Sequence, residues 1–288
     1  MQIVHTITES GAVTNQLFNA AHVYSSLNRK MIGPVDAQGN AQAFALNVKV
    51  YSDAANTATI KTAGNSYVTK QAIKAWFRVW KQKFTEQGHS MKDLGPYGRV
   101  FKPRFRASDS SYGSAGEVGR GEWNHSDLVT VPAAGDSATA GVEGLDLTDQ
   151  YLLHLIGDSV SESAGDETRK FTSVGMINSW LGSRKQAIGG DGTSSVPEDL
   201  VFDQDNPLLL ARGGSVTSEM LLDEVRDLQK DEPPYDEQDF DGLYTQALVK
   251  TNADLYGECD ILAPCGFVDV TTTAACTLVF TLVGIGDM

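Results

Sequence analysis

Three groups of residues have types and spacing that could do chemistry. Gly157-Asp158-Ser159 closes a strand-like run at 151–156 and offers Ser159 as a nucleophile. A serine nucleophile needs a histidine base held by a carboxylate. All five histidines (His5, His22, His89, His125 and His154) precede Ser159, and neither His154 nor His125 has an evident orienting carboxylate. The triplet reads instead as a strand-ending turn in which Asp158 and Ser159 bond the backbone, and no catalytic residue is expected. Glu237, Asp239, Asp241 and Gly242 fall near the positions of a calcium-binding loop, but Leu248 stands where the principal bidentate Glu belongs. That leaves at most a weak calcium contact between chains. Cys259, Cys265 and Cys276 are odd in number and far apart, with no Cys-x-x-Cys and no histidine beyond His154, so zinc spacing is absent. Free thiols are expected, Cys265 and Cys276 buried, with no metal and no cofactor.

Charge is the more informative chemistry. Residues 66–106 hold ten bases against two acids, a local +8 in a chain whose net charge is −14, so the remainder carries −22. Such polarity makes one face suited to a polyanion while most of the surface repels it. Lys70, Lys74, Arg78 and Lys81 recur at i, i+4, i+8 and i+11, one stripe of a helix. Ile73, Trp76, Phe77, Trp80 and Phe84 form the adjacent stripe, so that helix can bury aromatics and still display a basic ridge. Further along, Tyr97, Phe101 and Phe105 interleave with Arg99, Lys102, Arg104 and Arg106. This suits either contact with a single strand of nucleic acid or a strand whose inner face is aromatic and outer face basic. Lys70, Lys74, Arg78, Lys81, Arg99, Lys102, Arg104 and Arg106 are the candidate genome- or lipid-facing residues. The opposite sign gathers at 191–244, where fifteen acids meet Arg212, Arg226 and Lys230.

The elements that must carry these residues are mostly strands. A period of two runs through 43–51, and shorter strands are expected at 57–62, 100–105, 128–131 and 151–156. Two more, at 260–270 and 275–283, are rich in β-branched residues. The second is apolar nearly throughout, which predicts a central strand covered on both faces. Helices are expected at 69–87, 172–186 and 217–230, the last stopped by Pro233-Pro234. Stretches 108–120, 133–144 and 189–195 read as loops. Strands broken by isolated helices exclude regular βαβ alternation and predict a mainly β, antiparallel sandwich with helical insertions, as one domain over 1–288. With 41% hydrophobic and 21% charged residues the chain suits a folded protein. No secretory signal is expected from its opening residues, and no apolar run is long enough to span a bilayer as a helix.

Several segments together resemble one family. These are Ala72-Ile-Lys-Ala-Trp-Phe-Arg-Val-Trp-Lys, Leu94-Gly-Pro-Tyr-Gly-Arg-Val-Phe-Lys-Pro-Arg and Gly121-Glu-Trp-Asn-His-Ser-Asp-Leu. Val174-Gly-Met-Ile-Asn-Ser-Trp-Leu-Gly-Ser-Arg, Asp231-Glu-Pro-Pro-Tyr-Asp and Leu262-Ala-Pro-Cys-Gly-Phe complete the set. The chain is similar in them to capsid proteins of small circular single-stranded DNA viruses. The resemblance implies an icosahedral shell protein with a jelly-roll fold, a single roll favoured over a double one. It further implies self-assembly as the function, the virion as location, and no enzyme activity or small-molecule substrate. Many such coats open with an Arg/Lys-rich arm, whereas residues 1–28 here contain neither. Either the bases of 66–106 take over that role on single-stranded DNA, or the shell meets an internal membrane surface, which basic amphipathic helices also suit. The alternative from another class is a non-assembling β-sandwich module that binds nucleic acid or a host surface.

Overall fold

Strands at the two ends of the chain pair with each other in nested order. The computed structural model describes residues 1–86, 90–107, 123, 125–130, 149–161, 171–185, 242–252 and 255–288. Before the long middle insertion come β1 (Val4–Glu9), β2 (Val13–Asn19), α1 (Ala20–Asn28), β3 (Gln42–Ser52) and β4 (Asn56–Ala63). After it come β9 (Leu243–Thr251), β10 (Leu255–Pro264), β11 (Phe267–Thr272) and β12 (Cys276–Asp287). β1 pairs with β12, β2 with β11, β3 with β10 and β4 with β9, all antiparallel. Two four-stranded sheets result, ordered β1-β12-β3-β10 and β2-β11-β4-β9. The expected mainly β antiparallel sandwich architecture is present.

Alternation explains the core. Phe44, Leu46, Val48 and Val50 of β3 and Leu278, Phe280 and Leu282 of β12 point inward, where they meet Phe18, Ile60, Val268 and Val270 of the other sheet. Phe18 and Phe280 stack across the interior with ring centroids 3.9 Å apart. α1 caps this core: Asn19 accepts from the His22 amide at 3.0 Å and the Tyr24 hydroxyl donates to the Phe280 carbonyl. The expectation for 275–283 holds in one respect. β12 is central, between β1 and β3, but only its inner face is dry. Thr277, Val279 and Thr281 are half-buried and Val283 is 70% exposed, because β-branched residues favour strands whether or not both faces are covered.

The run 260–270 is two strands, not one. Pro264 ends β10, and Cys265 and Gly266, with φ of 56° and 79°, turn the chain from the first sheet into the second. A Cβ on Gly266 would meet the Ala21 amide nitrogen at 2.9 Å, so this corner requires glycine both for its φ and for the close approach of α1.

The insertion between β4 and β9 builds a second core. It contains α2 (Tyr67–Glu86), β5 (Asp127–Thr130), β6 (Asp149–His154), β7 (Val160–Ser161), β8 (Phe171–Gly175) and α3 (Met176–Lys185). These strands form a mixed sheet ordered β5-β6-β8-β7, in which β6 and β8 run parallel. Trp76, Trp80, Phe101, Leu153, Met176 and Trp180 are buried between the helices and this sheet, and Phe105 stacks on Phe267 of the sandwich at 5.1 Å. Two expectations change here. Residues 100–105 form no strand but a single bridge, Arg104 to His154, since Pro103 has no N–H to extend a ladder. The helix expected at 172–186 starts only at Met176, because Phe171–Gly175 is taken up as the parallel partner of β6. The helix expected at 217–230 and the three loops at 108–120, 133–144 and 189–195 lie outside the described residues.

Candidate polyanion interface

α2 begins where the Ser66 hydroxyl accepts the Thr69 amide at 3.2 Å, an N-cap. Of its apolar stripe Ile73, Trp76, Phe77 and Trp80 are buried as expected and Phe84 is half-buried, and the Trp76 indole donates to the Ser179 hydroxyl of α3 at 3.0 Å. On its basic stripe Arg78 and Lys81 are exposed, and Lys70 and Lys74 are half-buried. The Lys74 ammonium reaches the Asn40 side-chain oxygen at 3.4 Å. The four bases thus lie along α2, two of them exposed and two half-buried.

The remaining four lie outside that helix. Arg99 is exposed, but its guanidinium is folded back onto the carbonyls of Leu94 and Lys92 at 2.7 and 2.9 Å, stapling its own turn. Lys102 is 3% exposed. Its ammonium lies 3.7 Å from the Tyr97 ring centroid and 5.7 Å from that of Trp123, and donates to the Tyr97 carbonyl at 3.1 Å. Burial pushes its pKa down to about 8. The Arg104 backbone bonds on both sides to Leu153 and Leu155, which makes it part of the second core's edge. Arg106 pairs with Asp269 of β11 at 2.8 Å and donates to the Asn15 carbonyl. Lys102 is therefore corrected from outward-facing to buried and Arg106 to one half of an ion pair with β11, while Arg104 is half-buried. Phe101 and Phe105 are fully buried, and Lys102 and Arg106 are drawn inward to aromatic, carbonyl and carboxylate partners. One signal could have found Arg106's partner: Asp269 stands alone between Val268 and Val270, and a carboxylate in so apolar a strand demands a cation.

Of the two backbone bonds expected at the triplet, Ser159 makes one and the Asp158 carboxylate meets a side chain instead. The Ser159 hydroxyl accepts the Gly175 amide at 3.1 Å, and Asp158 accepts the Asn178 side-chain amide at 2.6 Å. His154 is fully buried, with one ring nitrogen 2.6 Å from the Ser173 hydroxyl and the other 3.0 Å from the Asp158 carbonyl. Burial lowers its pKa to about 4, so it is neutral at pH 7. Ser159→Ala should lower stability by about 1 kcal/mol, the net worth of one hydrogen bond, as read by urea unfolding. No change, within error, would show that the Gly175 amide finds another acceptor.

Cys265 and Cys276 are buried free thiols, and burial raises the Cys265 pKa to about 12. Of the calcium-like segment, residues 237–241 lie outside the described residues, and Leu243 to Leu248 belongs to strand β9. Among the described residues, no group of three or more His, Cys, Asp or Glu could hold a metal ion, and no helix is long and apolar enough to cross a membrane. A cavity of about 320 Å³ lies beside the C-terminal end of α2, with Trp80, Lys83, Phe84, Tyr97, Lys102 and His125 in its walls. Burial foremost, with the Arg104 and Lys102 charges, lowers the His125 pKa to about 4. No protein-family model matches this chain, and no curated protein or solved structure matches it either.

Proposed function

We propose that this chain is a structural subunit that assembles into a closed shell, the coat protein of a small icosahedral single-stranded DNA virus. The nested eight-strand order of the sandwich is the observation that carries the reading, because a jelly roll with one long insertion between its fourth and fifth strands would wind in this order. The segment resemblances support it. So does the ridge of Lys70, Lys74, Arg78 and Lys81, which gives a strongly acidic subunit one helix suited to the packaged polyanion or to an internal anionic membrane. Closure would come from symmetric or quasi-symmetric contacts between copies. Negative-stain microscopy of the purified protein tests this, with uniform closed shells expected. Monodisperse monomers would overturn it. Monomers that still retain single-stranded DNA would favour the non-assembling binding module.

The ridge has its own test. Changing its four bases to Gln should leave stability within about 1 kcal/mol of wild type, as exposed charges contribute little. It should weaken retention of single-stranded DNA and flatten the salt dependence by about 0.7 log units per lost phosphate contact. Base composition should not matter, since phosphate contacts carry no sequence information. Equal retention and equal slope in wild type and variant would remove the ridge from the interface.

A further inference from the structure

The cavity beside α2 has walls of two kinds. Trp80 and Phe84 come from the helix and Tyr97 from the segment after it, three aromatic side chains around one space. Among the described residues of its wall, Lys83, Lys102 and Asp127 are the charged ones, with His125 held neutral. Lys102 is the unusual member. An ammonium has three donors, and among the described residues the one acceptor within hydrogen-bond reach of it is the Tyr97 carbonyl. The group is 3% exposed, so water replaces little of what is missing. Its lowered pKa fits a cation short of an anionic partner. A volume of about 320 Å³ is at the small end of ligand pockets, which run from about 300 to 1,000 Å³, and suits one unit of a polymer, not a run of them.

We propose that this cavity is a subsite for a single nucleotide, with the base against Trp80, Phe84 and Tyr97 and the phosphate on Lys83 and Lys102. The inference rests on the reading of α2 as polyanion-facing, since the same helix carries the basic ridge and two of the aromatic walls. Every base has a flat face that stacks on an aromatic ring, so the subsite tolerates all four. A free nucleotide and an unstacked nucleotide of a single-stranded DNA present the same chemistry.

The full-length protein is titrated by calorimetry at low salt with thymidine 5′-monophosphate, thymidine, inorganic phosphate and a short oligothymidylate. The monophosphate should bind roughly ten-fold or more tightly than thymidine or phosphate alone, because only it fills both kinds of wall. Above pH 8 its binding should take up protons, as an anion raises the Lys102 pKa. Lys102→Met should reduce the monophosphate to the level of thymidine, and Tyr97→Ala should weaken it roughly ten-fold. Lys83→Gln, on the surface of α2, keeps a measurement available if Lys102→Met fails to fold, and should weaken the monophosphate several-fold. Binding no tighter than that of phosphate alone, or binding unchanged by Lys83→Gln and Lys102→Met, overturns the subsite. An oligothymidylate that binds and depends on the ridge bases while the monophosphate does not bind would sink the subsite alone. A monophosphate that binds while the ridge variant retains DNA like wild type would sink the ridge alone. If the monophosphate competes with the oligothymidylate, the subsite serves the polymer; if it does not, it serves free nucleotides.

Discussion

Arg106→Met should cost the folded state about 3–5 kcal/mol, because it strands the Asp269 carboxylate in a dry site. Asp269 is 1% exposed, in the middle of β11, and Arg106 reaches it at 2.8 Å from the insertion. Phe105, the residue before, stacks on Phe267 of the same strand, so this is the seam between the sandwich and the second core. The pair stabilises little relative to apolar residues of the same shape, since desolvating two charges offsets most of their attraction. Breaking it by removing one partner is what costs. The double change Arg106→Met with Asp269→Leu should therefore recover most of the loss. Urea unfolding of the two variants, beside the four-Gln ridge variant, checks this in one series. An Arg106→Met protein within about 1 kcal/mol of wild type would return Arg106 to the class of exposed bases.

Acid should weaken the fold before its carboxylates titrate. The His154 pKa is held down at about 4 by burial, against 6.5 for an ordinary histidine. Between those values the unfolded chain binds a proton that the folded chain refuses, so stability falls as pH drops from about 6.5 to about 4 and then levels off. The difference of two and a half pKa units corresponds to about 3 kcal/mol for this one group. Asp158 nearby favours the imidazolium and Arg104 opposes it, and neither outweighs desolvation. His125 should add a loss of the same sign, also through burial. His154→Gln removes one titration and should make the stability of the variant fall less steeply between pH 6.5 and 4. Parallel pH profiles for wild type and His154→Gln would show that His154 accepts its proton without penalty.

Alternation of Phe44, Leu46, Val48 and Val50 made β3 legible from residues alone, and the spacing of Ile73, Trp76, Phe77 and Trp80 did the same for α2. Both are local patterns that repeat every 2 or 3.6 residues, so a short window holds the signal. β1 and β2 went unread because Thr, Gln and Asn interrupt their apolar positions, and pairing with β12 and β11 makes them strands. The corner at Cys265-Gly266 was hidden inside a β-branched run, because a turn between two sheets leaves both flanks equally strand-like. The cavity had no sequence signal, as its walls come from α2, the segment around Tyr97 and the start of β5.

Residues 66–106 draw the line between what a chain states and what a fold decides. Their excess of ten bases over two acids belongs to the sequence by itself, and so does the helical stripe of Lys70, Lys74, Arg78 and Lys81. Which bases meet solvent does not. A helix dictates the side on which each residue emerges, so spacing alone predicts exposure along α2. The irregular segment 97–106 has no such rule, and the direction of each side chain there follows from what it can reach. Lys102 found the nearby Tyr97, and Arg106 a carboxylate on a strand far along the chain. Only the tertiary structure brings Asp269 within reach of Arg106, because a carboxylate is buried in a strand only where a cation from elsewhere compensates its lost water.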